Sequence, residues 1–325
     1  MLINMLITID GGTTNTRLTL IENGKITDRI KKKVGARDSL DGSPLKNAVR
    51  DGISELLGRN DLTESRVDAV VLSGMIGSAS GLAEIPHITA PAGRKELSRA
   101  LVQLNIPEIC SVPLTFIPGV KTFSCLGKDR TVSELSALAA GCDIMRGEET
   151  EIVGILSAYG ENTRGAAVIL PGSHLKIVRT DVEGRIVDFS TSISGELMRA
   201  AAENTILSQS LQGVFPKKAD EDWLRAGFDA AGKLGLNSAL FKIRILSNFA
   251  SVSPEKLYAY LMGAVFREDV LSAASAGKVI TGGSDPFRHA LSTLLRDLCE
   301  VKELDDDLAE NCSAIGAEAI LTGAD

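Results

Sequence analysis

The stretch Thr8-Ile-Asp-Gly-Gly-Thr-Thr-Asn-Thr-Arg17 joins one carboxylate, two adjacent glycines and a run of short hydroxyl and amide side chains. Gly11 and Gly12 have no Cβ, so the backbone can turn sharply there and bring its N–H groups close to a polyphosphate. Thr13, Thr14 and Asn15 add small donors, and Asp10 offers a carboxylate suited to hydrated Mg²⁺. A plain Gly-Gly hairpin with a polar tip looks the same, so the rest of the chain must decide. Three later stretches bear on it. In Met145-Arg146-Gly147-Glu148-Glu149-Thr150-Glu151 two adjacent acids precede an apolar run, as at a helix start, where carboxylates suit the dipole. Pro171-Gly172-Ser173-His174 is a second small polar tip. Gly282-Gly283-Ser284 closes an apolar run, and a strand–Gly-Gly–helix junction lets an adenine or ribose ring lie against bare backbone; a tight βα turn is the plainer reading.

The elements that would position these residues follow from hydrophobic period and turn chemistry. Residues 3–33 read as three short strands, joined first by the glycine tip and then by Glu22-Asn23-Gly24, a strong hairpin signal. A helix is expected from Pro44 to Leu57, then a buried strand over Val67–Leu72. That strand runs into Ser73-Gly74-Met75-Ile76-Gly77-Ser78, a small-residue loop at a strand's C-terminal end, where open α/β sheets bind ligands. A helix from Pro91 through Leu97 and Leu101, a strand over Leu114–Ile117 and a helix over Ser133–Cys142 complete the first part. The opening plan then returns. Strands over Ala166–Leu170, Lys176–Thr180 and Arg185–Ser190 are separated by the Pro171–His174 tip and the Glu183-Gly184 turn. A repeated strand–tip–strand–turn–strand plan implies two related domains, 1–157 and 158–325, with a polar, glycine-bearing boundary near 157–165. Helices dominate 195–275, a strand enters Gly282, and Pro286 opens a helix to Leu298. The small-residue helix around Ala314-Ile-Gly-Ala-Glu-Ala319 suits close contact with another helix and is expected to pack back on the first domain.

Composition excludes several classes of function. The 325 residues are 44% hydrophobic and 24% charged, ordinary for a globular protein and enough for two cores. Aromatics are only 4%, net charge is -7, and no basic run exceeds Lys31-Lys32-Lys33, which argues against nucleic acid. An anionic substrate therefore needs local basic residues. Cys110, Cys125, Cys142, Cys299 and Cys312 are scattered and odd in number, as reduced thiols in a cytosol are, and the three histidines show no metal spacing. No apolar run approaches the roughly 20 residues of a membrane helix, and the N-terminus turns polar too early for a signal peptide. A cytoplasmic protein without a membrane partner is expected.

The order of these features resembles the sugar kinase, heat-shock ATPase and actin superfamily. That resemblance implies an α/β fold of two ribonuclease-H-like (actin-like ATPase) domains closing on a central nucleotide cleft. Ile9-Asp-Gly-Gly-Thr-Thr-Asn-Thr-Arg17, Ser73-Gly-Met-Ile-Gly-Ser78, Ile117-Pro-Gly119, Met145-Arg-Gly-Glu-Glu-Thr150, Leu170-Pro-Gly-Ser-His-Leu-Lys176 and Thr191–Leu197 look like 2-dehydro-3-deoxygalactonokinases. The matches span the chain to about residue 200 and thin out beyond it. The family pattern places a Trp where Gly11 stands here, and residues 120–144 are longer than that pattern, as if inserted near the cleft.

What the resemblance implies is transfer of the ATP γ-phosphoryl to the 6-hydroxyl of 2-dehydro-3-deoxy-D-galactonate. Asp10 would sit on Mg²⁺ through water. Gly11, Gly12, Thr13 and Thr14 would cradle the β/γ-phosphates, faced by Gly172 and Ser173. Either Glu148 or Glu149 would be the general base, with Glu148 slightly preferred, since neighbouring helix residues point about 100° apart. Arg17, His174 and Lys176 would meet substrate carboxylate or phosphate, or else be solvated strand charges. Ser73, Met75, Gly77, Ser78 and Arg146 would border the sugar, and Gly282, Gly283 and Ser284 would hold the nucleoside. A kinase for another sugar or amino sugar, or an ATPase switch that moves a partner, shares most of these features. A homodimer is compatible with all of them.

Overall fold

The computed structural model describes residues 3–38, 43–124, 127, 130–163 and 165–323. Cys125 and the boundary residue Arg164 lie outside the described residues. The chain forms two compact units. The first holds the described residues within 1–164, 181–188 and 311–325; the second holds those within 165–180 and 189–310.

The first unit opens with β1 (Met5–Gly11), β2 (Thr16–Glu22) and β3 (Lys25–Lys32), consecutive antiparallel strands with a bulge between Leu20 and Ile21. Asn23 and Gly24, both at positive φ, make the second turn. Helix α1 (Ser43–Arg59) buries Leu45, Val49, Ile53, Leu56 and Leu57, the face its period assigns to the core. Next come β4 (Ala69–Gly74), β5 (Ile88–Thr89), α2 (Arg94–Arg99), β6 (Val102–Leu104), β7 (Leu114–Phe116), β8 (Val120–Lys121), α3 (Val132–Ala139), β9 (Ile144–Met145) and α4 (Glu148–Tyr159). The main sheet runs β3-β2-β1-β4-β7-β6, with β1, β4 and β7 parallel. A small sheet of β5, β8 and β9 stands beside it in the order β5-β8-β9.

One expected helix is cut short, and the strands β5, β8 and β9 were not expected from sequence. The helix expected from Pro91 through Leu101 stops at Arg99, and Val102–Leu104 is an antiparallel strand on β7. Leu97 and Leu101 mimic helical spacing, but Val102 and Leu104 find Phe116 and Leu114 across the ladder, and pairing overrides local preference. Helix α3 falls in the long 120–144 segment and buries none of its residues; Thr131 and Glu134 close its start as a reciprocal cap.

In the second unit β10 (Ala167–Leu170), β11 (Leu175–Thr180) and β12 (Ile186–Ser192) repeat the hairpin plan. Helices α5 (Ser194–Asn204), α6 (Ser208–Leu211), α7 (Glu221–Leu234), α8 (Leu236–Ala250) and α9 (Pro254–Ala274) follow, then β13 (Lys278–Thr281), α10 (Phe287–Leu295), β14 (Glu300–Glu303) and α11 (Asp306–Thr322), whose residues from 311 onward belong to the first unit, as do those of β12 up to 188. The sheet order is β12-β11-β10-β13-β14, with β10, β13 and β14 parallel. Helix α9 is buried almost all round, from Leu257 to Phe266, and forms the spine of this core. Three antiparallel strands followed by parallel ones, found twice, make each unit ribonuclease-H-like. Among the described residues no helix is long and apolar enough to cross a membrane.

Candidate active site

In the first unit the chemistry-bearing residues gather where β1 and β4 end and α4 begins. Parallel pairing sets Asp10 beside Ser73 and Gly11 beside Gly74. The junction closes around three glycines. A Cβ on Gly11 would stand 2.6 Å from the Ile76 Cβ, and one on Gly74 would stand 2.6 Å from the Gly11 carbonyl oxygen. A Cβ on Gly147 would lie 3.1 Å from the Gly74 Cα. Gly74 and Gly147 also adopt φ of +84° and +114°, which side chains disfavour. Small residues thus draw the start of α4 against the strand ends.

The tip between β1 and β2 is braced from behind. Gly12 N–H donates to the Asn15 carbonyl at 2.8 Å, and the carbonyls of Gly12 and Thr13 accept from Ala36 and Arg37 at 3.1 and 3.0 Å. The N–H groups of Thr13 and Thr14 make no hydrogen bond among the described residues. Arg17 Nη1 donates to Asp10 at 3.1 Å. Burial raises the Asp10 pKa against the opposing pull of Arg17.

The two adjacent acids of α4 have different surroundings. Glu149 is fully buried, with both carboxylate oxygens on the Gly147 N–H at 2.9 and 2.8 Å. Loss of hydration, with the Glu148 charge beside it, pushes its pKa up to about 8. Glu148 is only partly covered, and one of its oxygens accepts the Arg146 N–H at 3.1 Å. Glu151, one turn further on, was not singled out from sequence. Burial and the charges of Asp10 and Glu148 push it up to about 8 as well, and the Cys312 thiol donates to it at 3.8 Å. Its spacing of three from Glu148 was the available signal, since residues i and i+3 share a helix face.

The expected 73–78 loop is shorter than its sequence implied: Ser73 and Gly74 finish β4 in register with Asp10 and Gly11, and Met75–Gly77 form a short 3₁₀ turn. Ser73 is buried, and Ser78 Oγ donates to the Met75 carbonyl at 2.6 Å. Gly77 faces Arg146: a Cβ there would be 3.1 Å from Nη1.

In the second unit the Pro171–His174 tip is held by the start of α5. Glu196 N–H donates to the Ser173 carbonyl at 3.0 Å, and a Cβ on Gly195 would stand 1.9 Å from the Gly172 carbonyl oxygen. The N–H groups of Gly172 and Ser173, like those of Thr13 and Thr14, have no hydrogen-bond partner among the described residues. His174 Nε2 lies 3.7 Å from Glu196. Lys176 is buried, and its ammonium donates to Thr191 Oγ1 at 2.6 Å, so it is no solvated strand charge. Gly282 N–H donates to the Ile169 carbonyl at 2.9 Å, and a Cβ on Gly283 would press on the Pro171 ring at 2.9 Å. The Gly-Gly turn therefore lies against the hairpin tip, and the Ser284 carbonyl accepts from Arg288 at the head of α10.

Beside that tip is a cavity of about 350 Å³ lined by Gly172, Ser173, Gly195, Phe215, Tyr258 and Phe287, with Arg199 and Glu203 at its edge. Phe215 meets Tyr258 and Phe287 edge to face, with centroids 5.3 and 5.6 Å apart, and is itself 53% exposed. Aromatics are scarce in this chain, yet three converge here. Sequence reasoning missed them because composition counts residues without locating them.

Comparison with known proteins agrees with this geometry. Residues 10–307 match the family model described as 2-keto-3-deoxy-galactonokinase. The chain is 26% identical to "Probable 2-dehydro-3-deoxygalactonokinase DgoK1" of Rhizobium meliloti (strain 1021), over 97% of this chain and 94% of that one. It is 25% identical to the 2-dehydro-3-deoxygalactonokinase of Escherichia coli (strain K12), over 82% and 79%. A crystal structure described as that of "a putative 2-dehydro-3-deoxygalactonokinase protein from Sinorhizobium meliloti" superposes with TM-score 0.77 at 21% identity, covering 97% and 95%. The activator of the 2-hydroxyisocaproyl-CoA dehydratase from Clostridium difficile, with bound ADPNP, shares the fold alone, with TM-score 0.52 at 13% identity over 98% and 95%. The two units are those of the actin-like ATPase fold, and the chain belongs to the 2-keto-3-deoxy-galactonokinase family, a family of sugar-acid phosphotransferases.

Proposed function

We propose that the protein transfers the γ-phosphoryl of ATP to the 6-hydroxyl of 2-dehydro-3-deoxy-D-galactonate, a step of galactonate catabolism in the cytoplasm. One observation carries this reading beyond the family name: each unit presents a glycine-bearing hairpin tip with two adjacent backbone N–H groups lacking a protein partner. Unpaired N–H groups in a tight turn form a nest for phosphate oxygens. We assign phosphate binding to Gly11, Gly12, Thr13 and Thr14 in the first unit and to Gly172 and Ser173 in the second.

Glu148 takes the proton of the 6-hydroxyl as that oxygen attacks the γ-phosphorus, and ADP leaves. Glu149 is spent on Gly147 and keeps its proton at neutral pH, which suits a fixed structural acid better than a base. Asp10, beside Arg17, would hold Mg²⁺ through water. The residues fit the ion: Asp10 and Glu151 both pay for burial of negative charge, which a dication relieves. Among the described residues no cluster of three or more His, Cys, Asp or Glu is arranged to hold a metal, so phosphate oxygens and water would supply its other ligands. When bound, the ion neutralises charge on the phosphoryl oxygens. Ser73, Met75, Gly77, Ser78 and Arg146 would border the sugar acid. Arg17, now on Asp10, His174, near Glu196, and Lys176, on Thr191, would meet substrate carboxylate or phosphate.

The nucleoside would lie along Gly282, Gly283 and Ser284 and reach the aromatic cavity. Phe215→Ala is then expected to raise KM for ATP by roughly tenfold, the scale of one lost base–aromatic stack, and to leave KM for the sugar acid unchanged.

The decisive measurement is ADP release with Mg-ATP and 2-dehydro-3-deoxy-D-galactonate, beside its gluconate epimer, glucose, N-acetylglucosamine and a blank without sugar. The galactonate compound is expected to give the highest turnover. A different preferred sugar overturns the substrate assignment, and ADP release that ignores sugar overturns the kinase reading.

A further inference from the structure

Arg146 is held in an unusual way. Its Nη2 donates to the Ile85 carbonyl at 2.6 Å and lies 3.2 and 3.3 Å from Nδ1 and Nε2 of His87. Near-equal distances to both ring nitrogens put this end of the guanidinium against the ring as a whole, as in a stack. Gly119 backs the ring: a Cβ there would stand 2.6 Å from His87 Cδ2 and 2.5 Å from the Met145 carbonyl. At the other end, Nη1 is buried beside Gly77 and has no hydrogen-bond partner among the described residues. An unpaired buried donor on a cation is costly, and an arriving anion removes that cost.

We propose that His87 is a positioning residue whose ring fixes the Arg146 guanidinium so that its unpaired Nη1 edge receives the carboxylate of the sugar-acid substrate. This rests on the sugar-acid kinase reading and adds what recognises the acid. The groups facing the pair are Lys121 toward His87, and Glu84 and Glu149 toward Arg146. Burial, Arg146 and Lys121 hold the His87 pKa down at about 4, so the ring is neutral at physiological pH and does not repel the guanidinium. Gly77 and Gly119 leave the space that both side chains occupy.

The test compares wild type, His87→Ala and His87→Phe, each checked for an unchanged melting temperature. His87→Ala is expected to raise KM for the sugar acid about tenfold, the scale of one misplaced charged contact, with kcat within about threefold and KM for ATP unchanged. His87→Phe keeps a flat ring and is expected to restore that KM at pH 7. Titration calorimetry of the sugar acid without nucleotide should show wild-type affinity falling as pH drops toward 4, and Phe-variant affinity holding. Unchanged sugar-acid KM in His87→Ala overturns the inference, as does equal loss toward ATP, failure of Phe to restore affinity, or a shared pH profile. If wild type prefers a neutral sugar in the substrate panel, the sugar-acid reading fails first and takes this inference with it. If wild type prefers the acid and the variants behave alike, this inference fails alone.

Discussion

Glu148→Gln is expected to lower kcat by about 10²–10⁴-fold with KM for both substrates little changed, whereas Glu149→Gln should stay within about tenfold of wild type. The two residues are adjacent and chemically identical, and only their surroundings separate them. Glu149 has both oxygens on the N–H of Gly147, the residue that caps its helix, and keeps its proton up to about pH 8, so a glutamine, equally neutral and equally able to accept from Gly147, replaces it with small loss. Stability offers an independent check. The unfolded chain releases the Glu149 proton near its ordinary pKa of 4.5, the folded chain near 8. Between those values the native state binds more protons, so wild-type stability falls as pH rises. Glu149→Gln removes that contribution and should gain on wild type progressively from pH 5 to pH 8, by a few kcal/mol at the upper end. Urea unfolding of both proteins at several pH values measures the margin. Glu151 remains and keeps part of the slope. A kcat loss in Glu149→Gln as deep as in Glu148→Gln would transfer the base to Glu149.

The second large effect concerns the contact between α4 and the later part of α11. A Cβ on Gly154 would stand 1.9 Å from the Cys312 carbonyl oxygen, and one on Gly316 would stand 1.9 Å from the Thr150 carbonyl oxygen. Both obstacles are backbone and cannot swing aside. In a free helix Gly→Ala gains about 1 kcal/mol; here the clash reverses the sign. Gly154→Ala and Gly316→Ala are each expected to cost on the order of 3 kcal/mol, and to lower the melting temperature by roughly 4–8 °C. Since α4 carries Glu148, a folded Gly316→Ala protein should also lose kcat. A melting curve matching wild type would show that the two helices are free to separate there.

Much of this was legible in the sequence for local reasons. Both hairpin systems announce themselves through apolar alternation and turn residues, and the small-residue run around Gly316 marked a close helix contact. What escaped was set by residues far apart. His87 and Arg146 are separated by 59 positions, and nothing in the Ile-Pro-His-Ile stretch betrays their meeting. Strand β14, Glu300-Val-Lys-Glu303, is charged because it is an edge, and edges suppress the apolar pattern that identifies a strand. Val102 and Leu104 were absorbed into a helical period that only their partners on β7 could break. Glu148 and Glu149 could be ranked only slightly by sequence, in favour of Glu148, because burial at a helix start depends on which side the neighbouring glycines leave open.

The first unit also includes residues 181–188 and 311–323, which the chain supplies only after the second unit has begun and ended. On the ribosome the segment up to residue 163 therefore emerges without the helix that packs on α4 through Gly154 and Gly316. The part synthesised first is the last to be finished. A nascent chain paused before residue 311 should expose the apolar side of α4, and chaperone engagement is expected to end only when residues 311–323 have emerged. For the same reason no single cut yields two self-sufficient halves, and a gene split at residue 164 should give two insoluble pieces that recover activity only when refolded together.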